Sequence, residues 1–139
     1  MSDGPGSGAT VLVVDDDPVI QRLLSVNFEM EGYQVIVAST GADGIRSARS
    51  ARPDIVVLDV MMPGMDGLEV ASTLKADPAT AGIPVLLLSA KAQEVDIRAG
   101  DATGADAYVT KPFDPFELLE QVAALITSTR PAAGPRRWQ

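Results

Sequence analysis

Five short apolar runs recur along the chain with helix-period sequence between them, and this alternation restricts the fold more than any other feature. The runs are Thr10–Val14, Tyr33–Ala38, Ile55–Leu58, Ile83–Leu88 and Ala107–Val109. Those around Val13, Val57 and Leu87 are nearly unbroken Val, Leu and Ile, the pattern of strands covered on both faces. Helical spacing fills the intervals. Val19, Ile20, Leu23, Leu24, Val26 and Phe28 mark the first helix, which opens on Asp17 as N-cap with Pro18 at its first position and closes at Gly32. A second helix spans Gly41 to Arg52, and a third runs from about Leu68 to Lys75, ended by Asp77-Pro78. A weaker, polar helix is expected from about Glu94 to Ala102, and a last one within Phe113–Thr129. Strand and helix thus alternate five times, which predicts an α/β fold: a five-stranded parallel sheet, order 2-1-3-4-5, with helices on both faces.

The 139 residues, 46% of them hydrophobic, suffice for one core without disulfides or structural metal. The expected organisation is a disordered leader over 1–9, one domain over 10–129, and a flexible tail or start of a linker over 130–139. The Arg130–Pro135 stretch resembles a linker, so a stand-alone domain and one excised from a longer protein both stay open. The chain has no Cys and no His, which removes thiolate, imidazole and zinc chemistry and every triad with a His base. Any metal must be bound by oxygen. With 19 acidic and 11 basic residues, formal charge -8, the composition argues against a nucleic-acid or anionic-membrane surface. Protein partners are expected, with no direct nucleic acid binding and no membrane contact. The N-terminus has no basic or apolar targeting region, and the apolar runs are too short to span a bilayer, so a cytoplasmic location is expected.

Ligands of open parallel sheets bind outside the carboxyl ends of the strands, beside the point where the strand order reverses. Asp15 and Asp16 follow the first strand, Asp59 ends the third, Ser89 follows the fourth and Lys111 the fifth. Asp17 has a capping role; Asp15 and Asp16 have none. Carboxylates about 4 Å apart repel by roughly 4 kcal/mol at an effective dielectric near 20. An all-oxygen site of this kind suits Mg2+, which pairs with phosphate oxygens. Lys111 would add a second positive charge, a combination suited to a transferring phosphoryl group. Asp59 could then be the nucleophile that becomes an aspartyl phosphate.

These residues resemble a known family. The segments Val13–Pro18, Leu58–Gly67, Leu88-Ser89-Ala90 and Lys111-Pro112-Phe113 look like the chemotaxis-type receiver domain of two-component response regulators, over roughly residues 10 to 129. The resemblance implies a flavodoxin-like fold and a phosphoprotein of signal transduction that accepts a phosphoryl group on Asp59. The donor would be a histidine kinase or histidine phosphotransfer protein. Mg2+ would be held by Asp15, Asp16, Asp59 and the backbone carbonyl of Met61. Lys111 would bind the phosphoryl group, Ser89 would be the switch hydroxyl, Tyr108 the rotating aromatic, and Lys111-Pro112 a cis peptide. Met61 and Lys91 stand where relatives tune the lifetime of the acyl phosphate. A downstream protein target would meet the face formed by residues 94–129, and a weak homodimer is compatible with it. No turnover of an external substrate is expected.

Plainer readings stay open for individual residues. Ser89 could be a helix N-cap, Lys111 a solvated charge, Tyr108 half-buried packing, and the Arg136-Arg137-Trp138 stretch a frayed terminus. Two other function classes also stand. One is a receiver-like scaffold that ignores phosphate. The other is a Mg2+-dependent phosphohydrolase, although such enzymes carry a second Asp two residues after the nucleophile, where this chain has Met61.

Overall fold

The central strands are apolar except at Thr10, Asp59 and Ser89 at their ends, because helices cover both faces of the sheet. In a computed structural model, which describes residues 8–89 and 104–129, the strands are β1 (Thr10–Val14), β2 (Gln34–Ala38), β3 (Ile55–Asp59), β4 (Val85–Ser89) and β5 (Ala107–Thr110). They form one parallel sheet in the order β2-β1-β3-β4-β5, as expected. The described helices are α1 (Pro18–Met30), α2 (Gly41–Ala51), α3 (Gly67–Ala76) and α4 (Pro115–Thr129).

Successive strand side chains point to opposite faces, so each strand feeds two cores. Leu12, Val14, Val56, Leu58 and Leu87 pack on one side with Ile45 and Ala48 of α2 and Val70, Ala71 and Leu74 of α3. Val11, Val13, Ile55, Val57, Leu86 and Leu88 pack on the other with Leu24 and Phe28 of α1 and Leu118, Val122 and Ile126 of α4. Each fully buried Leu, Val or Phe contributes roughly 1.5–3 kcal/mol. β2, at the edge, departs from this pattern: Gln34 and Val37 are exposed.

Helix ends follow local chemistry. The Asp17 side chain accepts from Val19 N, with Pro18 in the first turn of α1. Gly32, at φ 94°, lets the chain reverse while Tyr33 N donates to Phe28 O at 3.1 Å. α3 starts before the expected Leu68, because Asp66 and Glu69 form a capping box: Asp66 Oδ1 accepts from Glu69 N and Glu69 Oε1 from Asp66 N. β4 starts at Val85 rather than Ile83, since Ile83 N is used in a turn to Thr80 O. Ala9, read as leader, is buried, and its carbonyl accepts from Gln34 N at 2.9 Å. The expected helix at 94–102, Lys91, residues 1–7 of the leader and the 130–139 tail lie outside the described residues.

Candidate functional site

Strand register brings three site residues to one side of the sheet. Val13 pairs with Val57, so Asp15 and Asp59, two positions further on, continue that pairing beyond the apolar ladder. Val109 packs on the α1–α4 face, and Lys111 follows it with the same alternation. The three side chains meet in a cleft of about 450 Å³ lined by Asp15, Asp16, Asp17, Pro18, Asp59, Met61 and Lys111. Carboxylate oxygens of Asp15, Asp16 and Asp59 lie within 4.8 Å of one another. Lys111 Nζ stands 3.4 Å from Asp15 Oδ2 and 3.2 Å from Asp59 Oδ1.

Asp15 and Asp59 are 1% and 3% exposed, whereas Asp16 is exposed. Burial pushes the Asp15 carboxyl above its ordinary range, with the Asp59 charge adding to the rise and the Asp17 N–H and Lys111 opposing it. Burial likewise raises Asp59, against the pull of Lys111 and of Met61 N, which donates to Asp59 Oδ1 at 3.4 Å. For Lys111, burial alone would lower the ammonium, but the charges and hydrogen bonds of Asp15 and Asp59 outweigh it and leave the pKa raised. One cation thus faces two buried carboxylates and a third at the rim. A divalent ion bound by oxygen fits this donor set.

The remaining candidates are placed differently. Ser89 is 1% exposed and does not line the cleft; its carbonyl accepts from Lys111 N at 2.7 Å. Tyr108 packs against the core beside α2 and α3, on the face opposite to Lys111, and lines a separate groove with Pro112 and Phe113. The Lys111-Pro112 peptide is cis. Met61 is exposed at the mouth of the cleft.

Two residues beside the site escaped sequence reading. A Cβ on Gly67 would run into the Asp59 carbonyl and come within 2.7 Å of Val60 Cα, so only glycine lets α3 start directly behind the β3 exit. The Gly at the end of the Met-Pro-Gly-Met-Asp-Gly loop was visible, but its neighbour was not. Gln21 donates from Nε2 to Asp15 O at 2.5 Å and to Ser39 Oγ at 2.9 Å. No local pattern signals that contact.

Residues 11–123 match the family model described as the response regulator receiver domain. The DNA-binding dual master transcriptional regulator RpaA of Synechocystis sp. is 46% identical over 119 residues, covering 86% of this chain and 49% of that protein. The DNA-binding response regulator MtrA of Mycolicibacterium smegmatis is 43% identical over 114 residues, 82% of this chain and 49% of that protein. The chain therefore spans about half the length of such relatives. Among solved structures, the chemotaxis protein CheY4 of Vibrio cholerae superposes with a TM-score of 0.80 at 32% identity, covering 84% of this chain and 98% of that one. The receiver domain of sensor histidine kinase PA1611 from Pseudomonas aeruginosa, described with a magnesium ion in its active site cleft, gives 0.81 at 28% identity, covering 87% and 99%.

One expectation is overturned by these relatives. The acidic composition argued against nucleic acid, yet RpaA and MtrA are named for binding DNA. A net charge of -8 describes the surface of this segment alone, and a surface that meets DNA in a longer protein need not lie on it. With the family model matched over residues 11–123 and the superposed structures sharing the fold, the chain belongs to the response regulator receiver domain family.

Proposed function

We propose that this receiver is switched by phosphorylation of Asp59, and that residues 10–129 are the working unit. The observation that carries the reading is the pairing of Asp59 Oδ1 with Lys111 Nζ at 3.2 Å inside a cleft whose other carboxylates are Asp15 and Asp16. Lys111 and Met61 N both hold Asp59 Oδ1, which supports the other carboxylate oxygen, Oδ2, as the one that attacks phosphorus. The donor is a phosphohistidine of a kinase or phosphotransfer protein. The Oδ2–P bond forms as the N–P bond breaks, and the imidazole nitrogen keeps the electron pair and takes up a proton. The 139 residues contain no His, so that donor is another polypeptide or another part of a longer one.

Asp15, Asp16, Asp59 and the Met61 carbonyl would hold Mg2+, and the magnesium described in the PA1611 receiver supports this assignment. Bound there, the ion would neutralise charge on the phosphoryl oxygens. Lys111 stands ready to move its hydrogen bond from the carboxylate to a phosphoryl oxygen. Ser89 supplies a hydroxyl at the end of β4, and Tyr108 reports the change on the opposite face of β5; together they are the proposed switch. The aspartyl phosphate adds about -1.5 to -2 charges and biases a surface toward partners rather than turning over a substrate. The names of the relatives support transcriptional control as the output. No helix of the described residues is long and apolar enough to cross a membrane.

Intact mass after incubation with acetyl phosphate and Mg2+ tests the reading. A single phosphoryl adduct that needs Mg2+ and is absent from Asp59→Asn is the expected result. An adduct that persists in Asp59→Asn, or none with phosphoramidate either, overturns it.

A further inference from the structure

We infer that Gln21 is a positioning residue for the acidic cleft, holding the peptide between Asp15 and Asp16 so that both carboxylates are aimed at one divalent cation. The inference rests on the reading of that cleft as a Mg2+ site. Gln21 lies in the first turn of α1, half-buried against the exits of β1 and β2. Its Nε2 donates both to Asp15 O and to Ser39 Oγ, so one neutral amide ties together the ends of two strands. Asp15 N donates to Ala38 O at 3.1 Å. The Asp15 backbone is thus gripped from both sides, its N–H by β2 and its carbonyl by Gln21.

The two carboxylates differ in how much they need this. Asp15 is also fixed through its side chain: Oδ1 accepts from Asp17 N at 2.9 Å, and Oδ2 faces Lys111. The exposed Asp16 accepts no hydrogen bond from any described residue. With no described donor on its carboxylate, the reach of Asp16 is set by the direction of its Cα–Cβ bond, and the peptide that leads into it carries the Asp15 carbonyl that Gln21 holds. Freed from the amide, this peptide can rotate and carry Asp16 away from the position where its oxygen lies within 4.8 Å of those of Asp15 and Asp59. A neutral donor suits the task. It satisfies the carbonyl without adding a cation that would compete with the metal or an anion that would add to the repulsion.

The test is calorimetric titration of Mg2+ into the metal-free 139-residue chain, comparing wild type, Gln21→Leu, Gln21→Met and Asn27→Ala. Leu and Met keep the bulk and helix propensity of Gln21 and lose its donor. Asn27→Ala removes another side-chain amide of α1, bonded to Leu23 O at 2.8 Å and remote from the cleft. Loss of one orienting hydrogen bond is expected to raise the Kd for Mg2+ about three- to tenfold in both Gln21 variants. Asn27→Ala is expected to bind as wild type does. Unchanged Kd in whichever Gln21 variant folds overturns the inference, and so does an equal rise in Asn27→Ala, which would trace the effect to a loosened helix. A wild type that takes up no Mg2+ would instead overturn the reading of the cleft itself.

Discussion

Lys111 Nζ, just past the end of the edge strand β5, reaches over β4 to within 3.2 Å of Asp59 Oδ1 at the end of β3. The same ammonium lies 3.4 Å from Asp15 Oδ2 at β1's exit, so one side chain from β5's end bridges the carboxylates at the ends of two other strands. Replacing it by Ala removes the counter-charge of both carboxylates and, under the proposed function, the side chain that would bind the phosphoryl group. The phosphorylation rate from acetyl phosphate should fall about 10²–10³-fold, the usual loss when one preorganised donor is removed. A time course of intact mass reads it; a rate within a factor of three of wild type would remove Lys111 from the chemistry.

Stability should depend on pH through the two buried acids. Asp15 and Asp59 both have raised pKa values, chiefly because burial disfavours their charged forms. The folded, metal-free protein therefore holds these protons to higher pH than the unfolded chain, whose value is near 3.8. Their contribution to stability is fully present below that value and is lost as pH rises through the folded-state values. Asp59→Asn removes one of the charges, so in EDTA at pH 7 it should melt above wild type, and the gap should close as pH falls toward 3.8. Thermal unfolding at several pH values checks this. Wild type melting at or above the variant throughout would mean that the carboxylates are not in conflict.

Gly67 should tolerate no side chain. The Cβ of Gly67→Ala would meet the Asp59 carbonyl and Val60 Cα, both backbone, so relief requires moving α3 or the β3 exit. Overpacking of this kind costs about 1–3 kcal/mol, and displacement of Asp59 should slow phosphorylation as well. Gly82 is the control: a Cβ there meets nothing within 4 Å, and Gly82→Ala should lie within about 0.5 kcal/mol of wild type. Urea unfolding of both variants decides, and equal stabilities would contradict the steric account.

Removing the Asp66 cap should lower stability by about 1 kcal/mol, because Asp66→Ala leaves Glu69 N without its acceptor and dissolves the capping box. The same urea experiment reads this effect. No loss would show that water replaces the cap without cost.

The order of the strands could be read from sequence because strand and helix alternate, which gives a parallel sheet with right-handed crossovers and a doubly wound order; only the central runs are covered on both faces, and β2 leaves Gln34 and Val37 exposed. The carboxylates of the cleft were legible for the same reason: strand ends of a parallel sheet share one rim, so Asp15, Asp16, Asp59 and Lys111 fall together whatever the details. What sequence did not show depends on contacts between distant backbones. The Asp66–Glu69 pair has the spacing of a capping box, but the neighbouring Pro and Gly residues read as loop and pushed the start of α3 to Leu68. The grip of Gln21 on Asp15 and the contact of Gly67 with Asp59 arise only when helix starts and strand exits are packed together. The exclusion of nucleic acid failed for another reason. Net charge is a property of the residues counted, and the relatives named for DNA binding are matched over only 49% of their own length.

The position of β5 at the rim of the sheet has a consequence for how it can come loose. It is bonded to β4 alone among the strands, so peeling it away breaks a single ladder. Peeling it would also withdraw Lys111, leaving Asp15 and Asp59 buried and facing each other without their cation. The ammonium that faces Asp59 thus acts as a latch on the sheet's outermost strand, and whatever draws Lys111 more firmly inward tightens that strand along its length.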